Sequence, residues 1–186
     1  MKEQDIKYII SILKGESIKY SPDWYAVLGF VNCHRIAGLF YNRAKKCGIE
    51  FPKKVEKILS ETYEKQKRKV VFMRNELSCI TRKLSETKAP YMLLKGSVLS
   101  NLNEEDTVVY TDGERISNDI DLLVQQDGIT AISKALYELG FLQGVYDFAS
   151  DTIQEFSRLE IVKRRMNRGE VAPFVKKTNN NEFPYI

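Results

Sequence analysis

One uninterrupted helix-forming segment constrains the fold of this chain more than any other feature. The residues from Lys53 to Thr87 include neither glycine nor proline. Apolar side chains recur there at intervals of three and four residues, which in an α-helix places them on one stripe. The members of this stripe are Val55, Ile58, Leu59, Val70, Met73, Leu77, Ile80 and Leu84. The segment therefore predicts a single helix about 50 Å long.

Shorter helices are predicted before this segment. Apolar residues at helical spacing in residues 6–13 are followed by Gly15, which readily takes the left-handed conformation that ends a helix. Ser21, followed by proline and aspartate, is the predicted N-cap of a second helical region that ends at Gly48. A break near residues 32–34 is expected to divide that region.

The chain changes character after Pro90, where short apolar strands separated by glycine, asparagine and aspartate replace the charged helices. Strands are predicted at Tyr91–Leu94, Asn118–Val124 and Phe141–Phe148, and a hairpin is predicted from Val171–Val175 and Phe183–Ile186. Helices are predicted at Gly96–Asn101, at residues 129–139 and after Ser150 as an N-cap. The predicted fold class is α+β, with a helical region at 1–88 and a domain at 89–186 that contains a mixed β-sheet and flanking helices.

The composition excludes several classes of protein. No apolar run approaches the roughly 20 residues that span a bilayer, and the N-terminus lacks a signal peptide, so a cytoplasmic protein without a membrane partner is predicted. Cys33, Cys47 and Cys79 have the spacing of neither a disulfide framework nor a zinc site. Residues 1–90 contain 19 Lys and Arg against 10 Asp and Glu, whereas residues 91–186 contain 10 against 15. The acidic half suggests a metal-binding region beside a basic surface that prefers anions.

Two aspartates in the second predicted strand form the sharpest chemical motif. Because side chains alternate along a strand, Asp119 and Asp121 are expected on one face and Ile120 on the other. Neighbouring carboxylates repel each other unless a cation lies between them, and Mg²⁺ commonly binds one or two carboxylates together with substrate phosphates. The pair is therefore a candidate metal site, although such a triplet also occurs at protein surfaces without a ligand.

The turn formed by Lys95, Gly96 and Ser97 is a second candidate element, because an apolar strand leads there directly into a helix. The start of a helix directs free N–H groups and a positive dipole toward one point. Gly96 permits close approach of the backbone, Ser97 adds a hydroxyl and Lys95 adds a positive charge, which together suit a phosphate chain. A plain strand–turn–helix corner is the alternative interpretation.

The combination of these motifs resembles the active site of polymerase-β-type nucleotidyltransferases. The chain is more similar still to a family of uncharacterised bacterial and archaeal nucleotidyltransferases, which have an LLKG turn, an arginine, a DIDLLV strand, a helix and a Gly-Phe pair. The corresponding residues here are Leu93–Gly96, Arg115, Asp119–Val124 and Gly140–Phe141. The Trp24 helix and the run His34–Tyr41 also resemble that family, so the similarity extends from about residue 20 onward.

The resemblance implies a metal-dependent nucleotidyltransferase that moves a nucleoside monophosphate from a nucleoside triphosphate, such as ATP, to an acceptor and releases pyrophosphate. Asp119 and Asp121 would be the catalytic residues and the ligands of Mg²⁺ or Mn²⁺. The nucleotide-binding residues implied are Lys95, Gly96, Ser97 and Arg115. No readable motif identifies the acceptor, which is a small molecule, a peptide or protein, or RNA, and none identifies the oligomeric state.

A third carboxylate is not evident, which leaves an alternative open. Enzymes of this kind usually carry one on a later strand, as metal ligand or general base. Glu155 and Glu170 are candidate substitutes, but the chain ends at Ile186, about where that strand is expected to begin. The domain is therefore expected to be truncated at its C-terminal end. The alternative function is a catalytically inactive nucleotide-binding or interaction module.

Basic runs at Lys65–Lys69 and Lys163–Arg165 allow a third interpretation, a nucleic-acid-binding protein with salt-dependent affinity. Neither run has interleaved aromatic residues or a recognised nucleic-acid motif, so solvated helix faces are the preferred interpretation. His34, the single histidine, lies far from the aspartates in the sequence, which favours a structural role.

Overall fold

The computed structural model describes residues 1–16, 18–99, 110–111 and 113–177, without the side chains of residues 167 and 168. Helices and short strands both occur, which confirms the predicted α+β class. The helices are α1 (Glu3–Lys14), α2 (Trp24–Cys33), α3 (Ala37–Lys46), α4 (Lys53–Ser85), α5 (Gly96–Leu99), α6 (Ile129–Glu138) and α7 (Arg158–Arg168). The strands are β1 (Tyr91–Leu94), β2 (Asp121–Val124), β3 (Leu142–Asp147), β4 (Thr152–Glu155) and β5 (Phe174–Val175).

The chain divides into two compact units. Unit 1 contains residues 1–72 and 102–116, and unit 2 contains residues 73–101 and 117–186. Helix α4 contributes residues to both units, because the division falls between Phe72 and Met73. A division into compact units does not show whether residues 89–186 fold as a separate domain. The domain boundary expected after residue 88 therefore stays a prediction.

Helices α1 to α3 and the first part of α4 enclose the core of unit 1. The side chains of Ile12, Val27, Phe40 and Leu59 are completely buried. Each removes its apolar surface from water, which contributes about 25 cal/mol per Å² to stability. This core therefore holds together helices that would be too short to persist alone.

Several predicted features of the helical region are confirmed. Helix α1 ends at Gly15, which has a left-handed φ of 82°. The break between α2 and α3 occurs at residues 34–36, where Arg35 also has a positive φ, of 57°. Helix α4 is a single helix of 33 residues. Among the described helices, none is both long and apolar enough to cross a membrane.

The predicted N-cap at Ser21 is wrong, because α2 begins two residues later than expected. The helix starts at Trp24, and its N-cap is Asp23. The Asp23 carboxylate accepts hydrogen bonds from the N–H groups of Tyr25 and Ala26, at 3.1 and 3.2 Å. An aspartate at this position satisfies two free N–H groups of the first turn and so determines where the helix starts.

Among the described residues of unit 2, the strands form two small antiparallel sheets. Strand β1 pairs with β2, and β3 lies between β4 and β5. In the first sheet, Leu94 is paired with Asp121 and Tyr91 with Val124. All strand pairs among the described residues are antiparallel. The predicted mixed sheet would also contain a parallel pair, and none occurs among these residues.

The predicted strands β1 and β3 and the predicted helix α6 are present, and β2 is shorter than expected. Strand β2 includes residues 121–124 of the predicted span 118–124, and Asp119 forms an isolated β-bridge before it. Helix α5 ends at Leu99, and residues 100–101 of its predicted span lie outside the described residues. The predicted turn and second strand of the C-terminal hairpin, at residues 178–186, lie outside them as well.

The helix predicted to follow Ser150 is wrong, because residues 152–155 form β4 and pair with β3. Ser150 lies in the turn between these strands, where its hydroxyl donates to the Asp147 carboxylate at 2.8 Å. Asp151 takes a left-handed φ of 54° in the same turn. A serine side chain that binds a nearby carboxylate in a turn has the same local sequence signature as an N-cap.

Helix α7 begins at Arg158, after a capping box that the sequence analysis missed. The Ser157 hydroxyl accepts a hydrogen bond from the Glu160 N–H, and the Glu160 carboxylate accepts one from the Ser157 N–H at 2.8 Å. The two residues thus satisfy free N–H groups on both sides of the helix start. The spacing of serine and glutamate three residues apart was the available signal.

Candidate active site

The antiparallel pairing of β1 with β2 brings Lys95 next to Asp121. Leu94, the last residue of β1, is paired with Asp121, so the residue after Leu94 lies beside the carboxylate. Lys95 Nζ lies 3.1 Å from Asp121 Oδ1. This hydrogen bond and the charge of Asp121 raise the pKa of Lys95 above its ordinary value. Lys95 also has a φ of 53°, which is uncommon for a residue with a side chain.

The burial pattern places Asp119 and Asp121 on the same side of the backbone. Ile120 between them is only 2% exposed, whereas Asp119 is exposed and Asp121 is partly exposed. This is the alternation expected from the sequence. The Ser117 hydroxyl lies 2.8 Å from the main-chain oxygen of Asp119 and 3.3 Å from its Oδ1. Ser117 therefore restrains both the backbone and the carboxylate of Asp119.

Gly96 lies directly against Ser117. A Cβ atom at position 96 would lie 2.5 Å from Ser117 Oγ and 3.0 Å from Ser117 Cβ. Because Ser117 also binds Asp119, the turn after β1 is connected through Ser117 to the first aspartate. Sequence reasoning missed Ser117, and its only signal was its position two residues before Asp119.

The Ser97 hydroxyl closes the turn between β1 and α5. Ser97 is 4% exposed, and its hydroxyl donates to the main-chain oxygen of Leu94 at 2.6 Å. The predicted contact between Ser97 and phosphate stays a prediction. For such a contact, either the backbone N–H of Ser97 must donate to the phosphate or the hydroxyl must rotate away from the Leu94 oxygen.

Arg115 and His34 belong to unit 1. The guanidinium carbon of Arg115 lies 5.4 Å from the centre of the Tyr110 ring, within the range of a cation–π interaction. The predicted contact of Arg115 with phosphate or with the aspartates stays a prediction. The His34 ring lies 4.2 Å from the Phe30 ring, between centres, and its structural role also stays a prediction.

The donor set fits Mg²⁺ or Mn²⁺ bound together with phosphates. Asp119 and Asp121 supply hard carboxylate oxygens on an accessible face. In the described part of the chain, no group of three or more His, Cys, Asp or Glu side chains is arranged to hold a metal ion. Further ligands would therefore come from phosphate oxygens and water, which is the usual situation for Mg²⁺.

The two candidate third carboxylates, Glu155 and Glu170, act electrostatically on different residues. The hydrogen bond with Asp121 raises the pKa of Lys95 most, and the charges of Asp121, Asp119 and Glu170 add to the effect. The charge of Glu155 acts instead on Tyr137, whose pKa is raised mainly by burial and further by this glutamate. The charge of Glu170 makes the smallest of these contributions to the pKa of Lys95, and the identity of the third carboxylate stays a prediction.

An apolar pair continues the face that carries Asp121. Met92 and Leu123 are paired in the register of β1 with β2, two residues from Leu94 and Asp121 respectively. They are 59% and 57% exposed. Because residues two apart on a strand share a face, this surface lies beside the carboxylate. The site therefore combines charged groups with an exposed apolar area, which sequence patterning did not reveal.

A family model described as "Uncharacterised nucleotidyltransferase" matches residues 20–175. The matched range includes all six residues predicted to form the site, from Lys95 to Asp121. A search of curated proteins and a search of solved structures each found no match.

Proposed function

Because the chain belongs to a family of uncharacterised nucleotidyltransferases, we propose that it transfers a nucleoside monophosphate from a nucleoside triphosphate to an acceptor. An oxygen of the acceptor attacks the α-phosphorus, the bond from this phosphorus to the bridging oxygen breaks, and pyrophosphate leaves. The proton of the acceptor passes to a base. The polymerase-β-type arrangement of the site is part of the proposal.

The contact between Lys95 and Asp121 carries this proposal. The two residues are 26 positions apart, and the pairing of β1 with β2 brings their side chains to 3.1 Å. The proposed phosphate-binding turn and the aspartate pair are therefore in contact, which supports a single site for the triphosphate. A nucleotidyltransferase requires this proximity, because the same triphosphate must contact both elements.

Each residue of the site has a proposed task. Asp119 and Asp121 hold Mg²⁺ or Mn²⁺, which when bound neutralises charge on the triphosphate. Lys95 is positively charged at neutral pH, as an ordinary lysine is, and can transfer its hydrogen bond from Asp121 to a phosphate oxygen. Gly96 lets phosphate approach the backbone, and the proposed nucleotide contacts also include Ser97 and Arg115.

Glu170 is the proposed base within the described residues. Its carboxylate is exposed and its charge acts on Lys95. Glu170→Gln is expected to slow pyrophosphate release more than it weakens nucleotide binding, because a general base acts in the transition state. Glu155→Gln is the matched control, since Glu155 is exposed on β4.

The test is a calorimetric titration of each of the four nucleoside triphosphates, with Mg²⁺ or Mn²⁺, into the full chain. The Asp119→Asn/Asp121→Asn variant is expected to bind the preferred triphosphate about tenfold more weakly or worse, since it loses both charged metal ligands. Asp127→Asn is the matched control, because Asp127 is exposed in the turn after β2. Equal affinity of the parent chain and the double variant would refute the proposal.

The inactive nucleotide-binding module is the second candidate function. The observation that favours it is the lack of a three-carboxylate group among the described residues. Metal-dependent triphosphate binding without pyrophosphate release, in the presence of candidate acceptors, would support this module. The nucleic-acid-binding interpretation and the cytoplasmic location stay predictions.

A further inference from the structure

The two faces of the β1–β2 sheet differ in exposure. On one face, Tyr91 donates a hydrogen bond to the main-chain oxygen of Thr81 in α4, at 3.4 Å. Ile120 lies on the same side just before β2 and is 2% exposed. On the opposite face, Met92 and Leu123 are 59% and 57% exposed. The second face is therefore the accessible one, and it is also the face of the candidate active site.

Met92 and Leu123 together form a continuous apolar surface, the apolar pair. They are directly opposite each other in the register of β1 with β2. The Cβ atoms of such opposite residues lie about 4.5–5.5 Å apart. Single exposed apolar residues are common, whereas two adjacent ones form an area against which an apolar group of a ligand is removed from water.

The apolar pair lies on the far side of Asp121 from the proposed phosphate-binding turn. Lys95 directly follows β1, and its Nζ lies 3.1 Å from Asp121 Oδ1. The apolar pair lies two residues earlier than Leu94 in β1 and two residues later than Asp121 in β2. With a rise of about 3.3 Å per residue, it is about 7 Å further along the sheet. The order along this face is therefore the turn, Asp121 and the apolar pair.

In-line phosphoryl transfer requires a corresponding order of the reacting groups. The attacking oxygen of the acceptor and the leaving pyrophosphate lie on opposite sides of the α-phosphorus. With the pyrophosphate part bound at the turn and the α-phosphate beside Asp121, the acceptor approaches from the side of the apolar pair. Its oxygen forms the new bond to the phosphorus, its proton passes to a base, and pyrophosphate leaves.

We propose that the apolar pair binds the acceptor, and that the acceptor is a small hydroxyl compound with an apolar group next to its hydroxyl. This inference rests on the proposed function, because the position of the triphosphate gives the direction of attack. Contact with the apolar pair holds the hydroxyl beside the α-phosphate. Two side chains suit a small molecule better than a protein, whose interfaces cover about 800 Å² on each partner.

NMR of the full chain with labelled methionine methyl groups tests the binding step. The chain has four methionines, so the spectrum is simple. The probes are phenethyl alcohol and diethylene glycol monomethyl ether, two primary alcohols of similar size that differ in the polarity of the rest of the molecule. Each is added to the chain saturated with Mg²⁺ and a non-hydrolysable analogue of the triphosphate that binds most tightly.

The methyl signal of Met92 is assigned by its absence in Met92→Gln. It is expected to shift with phenethyl alcohol and not with the glycol ether, because only the first probe has an apolar group to bury. Met166 is the internal control. It is 80% exposed on α7, and its signal is expected to shift with neither probe.

Met92→Gln/Leu123→Thr replaces the apolar pair by polar side chains. The KM for phenethyl alcohol in pyrophosphate release is expected to rise about three- to tenfold, which corresponds to the burial of one or two methylene groups. The affinity for the metal–triphosphate complex is expected to change by less than about twofold. Val145→Thr/Met166→Gln is the matched control, because both residues are exposed apolar side chains elsewhere in unit 2.

Several results would overturn the inference and leave the proposed function intact, provided that triphosphate binding depends on Asp119 and Asp121. An equal response of the Met92 signal to both alcohols, or to neither, would show that the apolar pair does not select an apolar acceptor. Equal stimulation of pyrophosphate release by the two alcohols, or none by either, would show the same. Weaker triphosphate binding by Met92→Gln/Leu123→Thr would show that this surface contacts the nucleoside instead. Absence of metal–triphosphate binding by the parent chain would refute both the inference and the proposed function.

Discussion

Position 96 requires glycine because there is no room for a side chain, and not because the backbone needs glycine's conformational freedom. Its φ is not among the positive values of the chain, so an alanine could adopt the same backbone conformation. What excludes a side chain is the Ser117 hydroxyl, 2.5 Å from the place where a Cβ would lie. The requirement for glycine therefore arises from a residue 21 positions away along the chain.

Gly96→Ala is expected to lower the free energy of unfolding by about 1–3 kcal/mol, because an added methyl group forces Ser117 out of its place. The displacement is also expected to weaken metal–triphosphate binding, since Ser117 restrains Asp119. Urea denaturation and nucleotide titration measure the two effects.

The matched control is Gly29→Ala in α2, where nothing lies within 4 Å of the added atom. This change is expected to raise stability by up to about 1 kcal/mol, because alanine is the better helix former. If Gly96→Ala were as stable as the parent chain, the contact with Ser117 would not limit this position.

Single residues of the site differ in how predictable they are. The shared side of Asp119 and Asp121 follows from the alternation of a strand, which is a property of adjacent residues. Ser117 could not be predicted in this way. Its importance depends on Gly96, and no local pattern marks a residue whose partner is distant in the sequence.

At the scale of elements, Lys83 joins the end of α4 to α6. Its Nζ lies 2.8 Å from a carboxylate oxygen of Glu86 and 2.9 Å from one of Glu138. The hydrogen bonds to Glu86 and Glu138 raise the pKa of Lys83 to about 12. Glu138 is the last residue of α6, so this cluster connects two helices of unit 2.

Lys83→Met is expected to lower the thermal midpoint at neutral pH, with an effect that fades in strong alkali. The pKa of Lys83 is higher in the folded chain than in the unfolded chain. Charged Lys83 therefore contributes its full stabilisation of the folded chain at pH values below its pKa in the unfolded chain, about 10.4. This contribution is lost as the pH rises toward 12. Thermal denaturation of both proteins from about pH 9 to about pH 12 measures the difference.

Lys134→Met is the control for this pH series. Lys134 Nζ lies 4.0 Å from Glu138, and its side chain is 79% exposed, so little change is expected at any pH. A Lys83→Met difference that stayed constant up to pH 12 would contradict the assigned role.

The two serines before α7 show why some elements were predicted and others were not. Ser150 and Ser157 both precede apolar residues, and both carry hydrogen bonds typical of a turn or a cap. The pairing of residues 152–155 with β3 determined which of them begins the helix. This pairing is a tertiary contact, whereas α4 and α6 follow from apolar periodicity within the helix itself.

At the scale of the whole molecule, α4 is the element that both compact units share. Leu59 belongs to unit 1 and Leu84 to unit 2, and both are completely buried. The main-chain hydrogen bonds of the helix are continuous between them. Because helix formation is cooperative along the chain, loss of packing at one end is expected to affect the other.

Leu84→Ala is expected to lower the free energy of unfolding by about 2–5 kcal/mol, through the cavity that it leaves. Trp24, the single tryptophan, reports on unit 1. Its fluorescence transition in urea is expected to shift together with the circular dichroism transition, although the substitution lies in unit 2. Ile58→Ala is the control, since Ile58 is 42% exposed, and it is expected to cost less than about 1 kcal/mol.

A Trp24 transition that stayed at the midpoint of the parent chain, while circular dichroism changed, would show that the two units unfold independently. A common shift would show that α4 transmits the loss of packing.

The sequence alone determined the α+β class, the long helix α4, the end of α1 at Gly15 and the alternation around Ile120. Each depends on residues within about four positions of one another, so periodicity and helix-end signals are sufficient. The contacts of Lys95 with Asp121 and of Gly96 with Ser117 join residues 26 and 21 positions apart. They required the folded chain, because strand register brings distant segments together and no local repeat encodes it.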